Sequence, residues 1–207
     1  MKLYTYDPAP NPRRVALMLK HKGVQLETEQ IDLTAGQQMS AEFSAINPQW
    51  TVPALVLDDG EVLSDVIAIC VYLDAQYPEP PVFGNNALER AKILAFCQRL
   101  YVDGLAAVAE VLRNANPVFK DRALPGVLNV PQIPELVDRG HLRLDAFYQA
   151  MNDAVRGREY LVGEQLSQAD IDLYAVLGFC GWVKRRIPED CTALTQWFEA
   201  MQRRFGE

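Results

Sequence analysis

Every strand-like segment of this 207-residue chain lies before residue 80, and every ordered-looking segment after it repeats with helical period. The break falls on Pro78, Pro80 and Pro81, followed by Gly84-Asn85-Asn86, a stretch that regular structure does not cross. Such a shift predicts two units: an α/β one over residues 1–79 and an all-helical one over 86–207.

In the first unit, Lys2 to Tyr6 reads as a strand, and Asp7-Pro8-Ala9-Pro10-Asn11-Pro12 as a rigid turn. A helix follows, with apolar Val15, Met18 and Leu19; Asn11 suits its N-cap, Pro12 its first position and Gly23 its stop. Leu26 to Leu33 reads as a second strand and Gln37 to Phe43 as a short helix. Val52 to Leu57, Asp58-Asp59-Gly60 and Glu61 to Leu63 spell a hairpin, and Asp65 to Tyr77 a third helix. The expected order is β-α-β-α-β-β-α.

In the second unit, Leu94, Cys97, Tyr101, Leu105, Val108 and Leu112 advance by three and four, predicting one helix from Ala87 to about Asn114. Leu144 to Val155 marks another, and Leu194, Trp197, Phe198 and Met201 mark an amphipathic terminal one. Ala169 to Val183 is apolar nearly all round apart from Asp170 and Asp172, as a buried core helix must be. Before it stands Ser167-Gln168-Ala169-Asp170, a capping box in which Ser167 and Asp170 close on each other's backbone; its role is structural. Residues 116–134 carry five Pro or Gly residues (117, 125, 126, 131 and 134), and loops of that length are functional or mobile.

Composition then removes classes. Lys and Arg number 20 against 27 Asp and Glu, a net charge of −7, which opposes non-specific binding to nucleic acid or to an anionic membrane. No apolar run reaches bilayer-spanning length, and the opening Met1 to Tyr6 is too short and polar for a signal segment, so a cytoplasmic protein is expected. Cys70, Cys97, Cys180 and Cys191 are widely spaced, with no CxxC and no Cys/His cluster, so neither a disulfide framework nor a metal site is expected. His21 and His141 stand without a partner pattern and are expected at the surface.

Four local patterns, in this order and spacing, resemble the cytosolic glutathione S-transferase family across essentially the whole chain. They are Tyr6 to Val15; Asn47-Pro48-Gln49-Trp50-Thr51-Val52-Pro53-Ala54-Leu55; Leu63-Ser64-Asp65-Val66-Ile67-Ala68-Ile69 followed by Tyr72-Leu73; and Leu166 to Ile171. The resemblance implies a thioredoxin-like N-terminal domain, a C-terminal helical bundle domain, glutathione as co-substrate and a homodimer. It implies no metal.

The family places a cis-proline where Val52-Pro53 stands, so that the backbone of Val52 can pair with the cysteinyl backbone of glutathione like one more strand. Thr51, Val52 and Pro53 are therefore expected in the glutathione site. Asp65 and Val66 open the third helix, whose N–H groups and dipole favour an anion. The family usually has an acidic residue or Gln followed by Ser there. Asp65 fits the acidic role, whereas Val66 lacks the hydroxyl, a loss of about 1.5–3 kcal/mol for a bond to a charged group.

The family also ionises the glutathione thiol with a side chain near the end of the first strand or the start of the first helix. A free thiol has a pKa of about 8.5, so ionisation at neutral pH needs help from a hydrogen bond and a helix N-terminus. By position Asn11 is the first candidate, since its amide can donate to sulfur; Tyr6 is the alternative. Helix capping is the competing role for Asn11. Arg13 and Arg14 read as solvated, or as partners for carboxylates of the ligand or of a second subunit. Trp50 stands where the family commonly has Gly.

The resemblance further places a hydrophobic acceptor in a cleft facing the helical domain. Tyr101, Val108, Leu112 and Phe119 are its candidate contacts, with residues 116–134 as a candidate lid. An apolar stripe at this spacing is more often core than pocket. The function implied is thiol transfer to an electrophilic, disulfide or peroxide substrate. The alternative is a binding or regulatory protein on the same scaffold, because scaffold alone does not establish chemistry.

Overall fold

The computed structural model describes residues 1–206. They form two compact units, Met1–Val82 with Pro125–Leu128, and Phe83–Leu124 with residues 129–206.

The first unit runs β1 (Lys2–Thr5), α1 (Pro10–Lys22), β2 (Glu27–Gln30), a 3₁₀ turn (Gln37–Met39), α2 (Ala41–Ile46), β3 (Ala54–Val56), β4 (Val62–Leu63) and α3 (Val66–Gln76). Its sheet order is β2-β1-β3-β4, with β1 and β2 parallel and the other pairs antiparallel: the thioredoxin-like arrangement. A parallel pair needs a crossover, which α1 supplies. Gly23 ends α1 in the left-handed region (φ 66°), where the Val24 N–H reaches the Leu19 carbonyl at 3.0 Å.

The start of α1 differs from the expectation. The N-cap is Ala9 and Pro10 opens the helix, so Asn11 lies inside the first turn and does not cap it. Both Pro10 and Pro12 can occupy a first turn, where their missing N–H costs nothing, and the earlier one does so here.

The second unit contains α4 (Ala87–Arg99), α5 (Ala106–Ala115), a 3₁₀ turn (Pro117–Phe119), α6 (Glu135–Val155), α7 (Gln168–Cys180), a 3₁₀ turn (Gly181–Val183) and α8 (Thr192–Phe205). Asn86 caps α4, accepting from the Glu89 N–H at 3.0 Å. The single long helix expected from Ala87 to Asn114 is interrupted by a π-helical segment, Leu100–Leu105. Gly104 lies in it, at a close approach: a Cβ there would stand 2.7 Å from Val176 and 2.8 Å from Phe147. The Val102 carbonyl in the same segment accepts from the Arg143 guanidinium. Along α7 every residue from Gln168 to Leu177 is buried. Its capping box is present: Asp170 accepts from the Ser167 N–H and hydroxyl, and Ser167 accepts from the N–H of Asp170.

Residues 116–134 are held by side chains rather than by a ladder. Arg113 donates to the carbonyls of Arg122 (2.6 Å), Ala123 (3.2 Å) and Leu124 (2.9 Å). Burial and the neighbouring Arg122 charge lower its pKa to about 10. Gln132 donates to the carbonyls of Arg113 and Asn116, both at 2.8 Å. The tip, Pro125–Leu128, belongs with the first unit.

Candidate functional site

Antiparallel pairing sets β1 against β3 with Tyr4 opposite Ala54, and the same register carried on sets Tyr6 opposite Val52. In the β3–β4 pair, Leu55 faces Leu63, so the end of β4 lies beside the start of β3. The end of β1, the Val52-Pro53 bond and the start of α3 therefore share one end of the sheet. The start of α1, which follows β1 after a four-residue turn, shares it too. Two helix N-termini and one strand entry thus meet there, an arrangement suited to an extended ligand carrying negative charge.

The Val52-Pro53 peptide is cis. Among the described residues, neither the N–H nor the C=O of Val52 takes part in a backbone hydrogen bond. Its side chain is buried in a cluster with Ile31 and Phe43, against which Tyr6 packs its ring. The approach to this bond is organised by Asn47, only 2% exposed. Its amide donates to the Thr51 carbonyl at 2.8 Å and to the Thr51 hydroxyl at 3.0 Å, while its Oδ1 accepts from the Gln49 N–H at 3.1 Å. Sequence reasoning passed over Asn47, although a polar residue opening an Asn-Pro turn is a recognisable signal.

Asn47→Ala should lower stability by about 2–3 kcal/mol, since buried groups lose their partners. It should also weaken any ligand bound along Val52. Chemical unfolding and calorimetry would check the two effects, and unchanged affinity would remove Asn47 from the site.

Trp50 adopts φ 58°, a left-handed conformation that glycine takes at no steric cost. Its indole N–H donates to the Ser44 hydroxyl at 2.8 Å, tying the ring to α2.

Asp65 occupies the N-cap position of α3, but its exposed carboxylate makes no capping bond. The Asp65 carbonyl takes the Ile69 N–H at 2.9 Å, and the earlier N–H groups of the helix have no intrahelical acceptor. Val66 turns its side chain inward and is 8% exposed, leaving its backbone as the polar group it offers.

Asn11 is half-buried, and its Oδ1 accepts from the Arg14 Nη1 at 3.1 Å. Arg14 is 3% exposed, which corrects the reading of it as solvated. Sequence gave no signal for this pair beyond the i, i+3 spacing on one helix face.

In the helical unit, Val108 has no accessible surface and belongs to the core, so it cannot touch an acceptor. Tyr101 is exposed within the π segment and Leu112 is half-buried. The Phe119 ring lies 4.4 Å from the Arg113 guanidinium, which covers one of its faces. His21 and His141 are half-buried rather than at the surface, and Nδ1 of His141 is buried.

All four cysteines are buried and unbridged. Burial pushes the Cys180 thiol up to about 11 and raises that of Cys191. These two thiols are protonated at neutral pH and poor nucleophiles. Among the described residues no group of three His, Cys, Asp or Glu side chains could hold a metal ion, and no helix is long and apolar enough to cross a membrane.

A thioredoxin-like unit with a cis-proline strand entry, followed by an all-helical unit, defines a class of fold, and comparison with known proteins makes the class specific. Residues 9–76 match the family model for the glutathione S-transferase N-terminal domain, and residues 105–204 that for its C-terminal domain. Glutathione S-transferase 2 of Saccharomyces cerevisiae is 31% identical over 99% of this chain and 86% of its own length. The crystal structure of a glutathione S-transferase domain-containing protein from Marinobacter aquaeolei VT8 superposes with a TM-score of 0.90 at 29% identity, covering 99% and 98% of the two chains. That of Gtt2 from S. cerevisiae gives 0.86 at 31% identity, covering 98% and 96%. The chain belongs to the glutathione S-transferase family.

Proposed function

We propose that the chain is a glutathione transferase that binds glutathione along Val52 and presents its ionised thiol at the N-terminus of α1. The observation that carries this reading is the convergence of the Val52 edge with the starts of α1 and α3 at one end of the sheet. The cysteinyl backbone pairs with Val52, beside Thr51 and Pro53. The γ-glutamyl carboxylate lies on the first N–H groups of α3 at Val66, and the γ-glutamyl ammonium meets the exposed carboxylate of Asp65. Sulfur lies by Asn11, whose amide donates to the thiolate, with Tyr6 as the alternative donor. The thiol proton leaves to solvent. The thiolate then forms a carbon–sulfur bond to an electrophile as its leaving group departs, or attacks one sulfur of a disulfide or one oxygen of a peroxide, breaking the S–S or O–O bond and expelling the other half as a thiolate or as an alkoxide or hydroxide.

Lowering the thiol pKa and holding both reactants close supply the rate enhancement. The acceptor is a hydrophobic small molecule contacted by Tyr101 and Leu112, with a lesser part for Phe119. The working form is a homodimer in the cytoplasm; sedimentation would give roughly twice the 23.3 kDa of one chain.

Calorimetry with glutathione tests the reading, and no heat of association at millimolar concentration would refute it. Val66→Ser sharpens the test. Restoring a hydroxyl at the start of α3 should tighten glutathione binding about tenfold, from one added bond to a charged group. Removal of buried methyl groups should meanwhile cost about 1–2 kcal/mol of stability. The absent hydroxyl also favours a second reading, a glutathione-binding regulatory protein with little transfer activity. Glutathione binding without thioether formation from an activated haloarene would select it.

A further inference from the structure

We infer that Arg14 is a positioning residue that fixes the Asn11 carboxamide with its amide hydrogens, rather than its carbonyl oxygen, turned toward the thiol. This inference rests on the glutathione reading above and adds to it a residue that acts through another.

A guanidinium carries donors and no acceptor. The 3.1 Å contact from Arg14 Nη1 to the Asn11 side chain therefore admits one orientation of the amide, with Oδ1 facing Arg14. The Nδ2 hydrogens then point away from Arg14, and no hydrogen bond within the described chain engages them. Without that restraint, a half-buried asparagine could rotate its amide and offer oxygen lone pairs to sulfur. Such a contact would repel a thiolate and favour the thiol. The orientation of this one amide thus decides whether the site lowers or raises the thiol pKa.

The location of Arg14 supports a role beyond helix stability. Helix N-termini favour acidic residues, yet α1 has none in its first turn, and Arg13 and Arg14 follow directly. A cation so close to the positive end of a helix opposes the dipole. Arg14 is nonetheless held on the buried face of α1, 3% exposed, where its geometry is restrained by packing. The charge also polarises the amide it contacts, making Nδ2 a stronger donor. Arginine suits this better than lysine because its planar fork fixes direction as well as charge.

The experiment titrates the thiol of bound glutathione by thiolate absorbance in the wild type and in Asn11→Asp, Asn11→Ala, Arg14→Met, Arg14→Lys and the double variant Asn11→Ala/Arg14→Met. Asn11→Asp keeps an oxygen toward Arg14 and deletes the amide hydrogens, so the bound thiol pKa should rise. Arg14→Met should raise it by about one unit and Arg14→Lys by less. In the Asn11→Ala background, Arg14→Met should change it little, because the residue it orients is gone.

Transfer rates should follow the same pattern. Arg14→Met should lower kcat/KM about tenfold at a pH below the thiol pKa and little above it, whereas a merely structural loss would lower both. An equal Arg14→Met shift in both backgrounds would overturn the inference while leaving glutathione transfer intact. So would an unshifted thiol in Asn11→Asp, a readout that does not depend on any Arg14 variant folding. Wild-type protein that binds no glutathione would remove the glutathione reading, and this inference with it.

Discussion

Lys22→Met should destabilise the first unit by about 3–5 kcal/mol, the cost of leaving a buried charge without its partner. The Lys22 side chain is fully buried, and its ammonium lies 2.7 Å from the Asp74 carboxylate, itself only 8% exposed. It also donates to the carbonyls of Tyr77 at 2.8 Å and Pro80 at 2.6 Å. The same Asp74 oxygen accepts from the Val82 N–H at 3.1 Å. One cation thus joins the last turn of α1, the last turn of α3 and the proline-rich segment after it.

Methionine fills the same volume but leaves Asp74 charged in an apolar setting and two carbonyls without their donor. Lys22→Met/Asp74→Leu should recover part of the loss, since the carboxylate goes with the ammonium. Urea unfolding followed by circular dichroism checks both. A single-variant loss below about 1 kcal/mol would show that the cluster contributes no more than an exposed ion pair. Lys22 and Asn11 are 11 residues apart on α1, about 16 Å along its axis. Folded Lys22 variants should therefore keep their affinity for glutathione.

Asp170→Ala should cost the helical unit a similar amount, about 3–5 kcal/mol. Asp170 has no accessible surface and accepts from the Leu161 N–H (2.8 Å), the Ser167 N–H (2.9 Å) and the Ser167 hydroxyl (2.7 Å). Alanine leaves all three donors buried and unmatched at the mouth of α7.

The effect has a pH dependence of definite sign. Burial raises the Asp170 carboxyl to about 6, against hydrogen bonds that act to lower it. A folded value above the unfolded one means that the native state holds the proton more tightly. The stability it contributes is greatest below the unfolded value and declines as pH rises through 6, by about 3 kcal/mol at most. The advantage of wild type over Asp170→Ala should therefore shrink between pH 4 and pH 7. Unfolding free energies across that range check the sign, and an advantage that grows toward neutral pH would contradict it.

Much of the fold was legible because it rests on periodicity. The alternation of β1 and the hairpin, the repeat of α4 and α5, and the unbroken apolarity of α7 each reflect one face, or all faces, meeting a core. The capping box at Ser167 and Asp170 and the Gly23 stop were legible because a backbone requirement selects few residue types. The π segment was not: a single widened turn leaves the apolar spacing around it almost unchanged. The helix start at Pro10 was missed because two prolines compete for the same first turn.

At the candidate site Val52, Pro53, Asp65 and Val66 were named from the family resemblance, and the structure adds their backbone: a cis bond at Val52-Pro53 and a helix start at Asp65-Val66. The residues that organise it, Asn47 and Arg14, bond side chain to neighbour, and no pattern of residue types announces which rotamer a polar side chain takes.

The sequence by itself determined the order of elements, because hydrophobic period and turn chemistry are local and survive without neighbours, and its motifs carried the family resemblance. Only the tertiary structure decided that Lys22 and Arg14 are buried, that Asn11 caps nothing, and that Val108 is core. Burial of a charge depends on partners distant in the chain, such as Asp74 for Lys22, and that pairing exists only once the helices have packed.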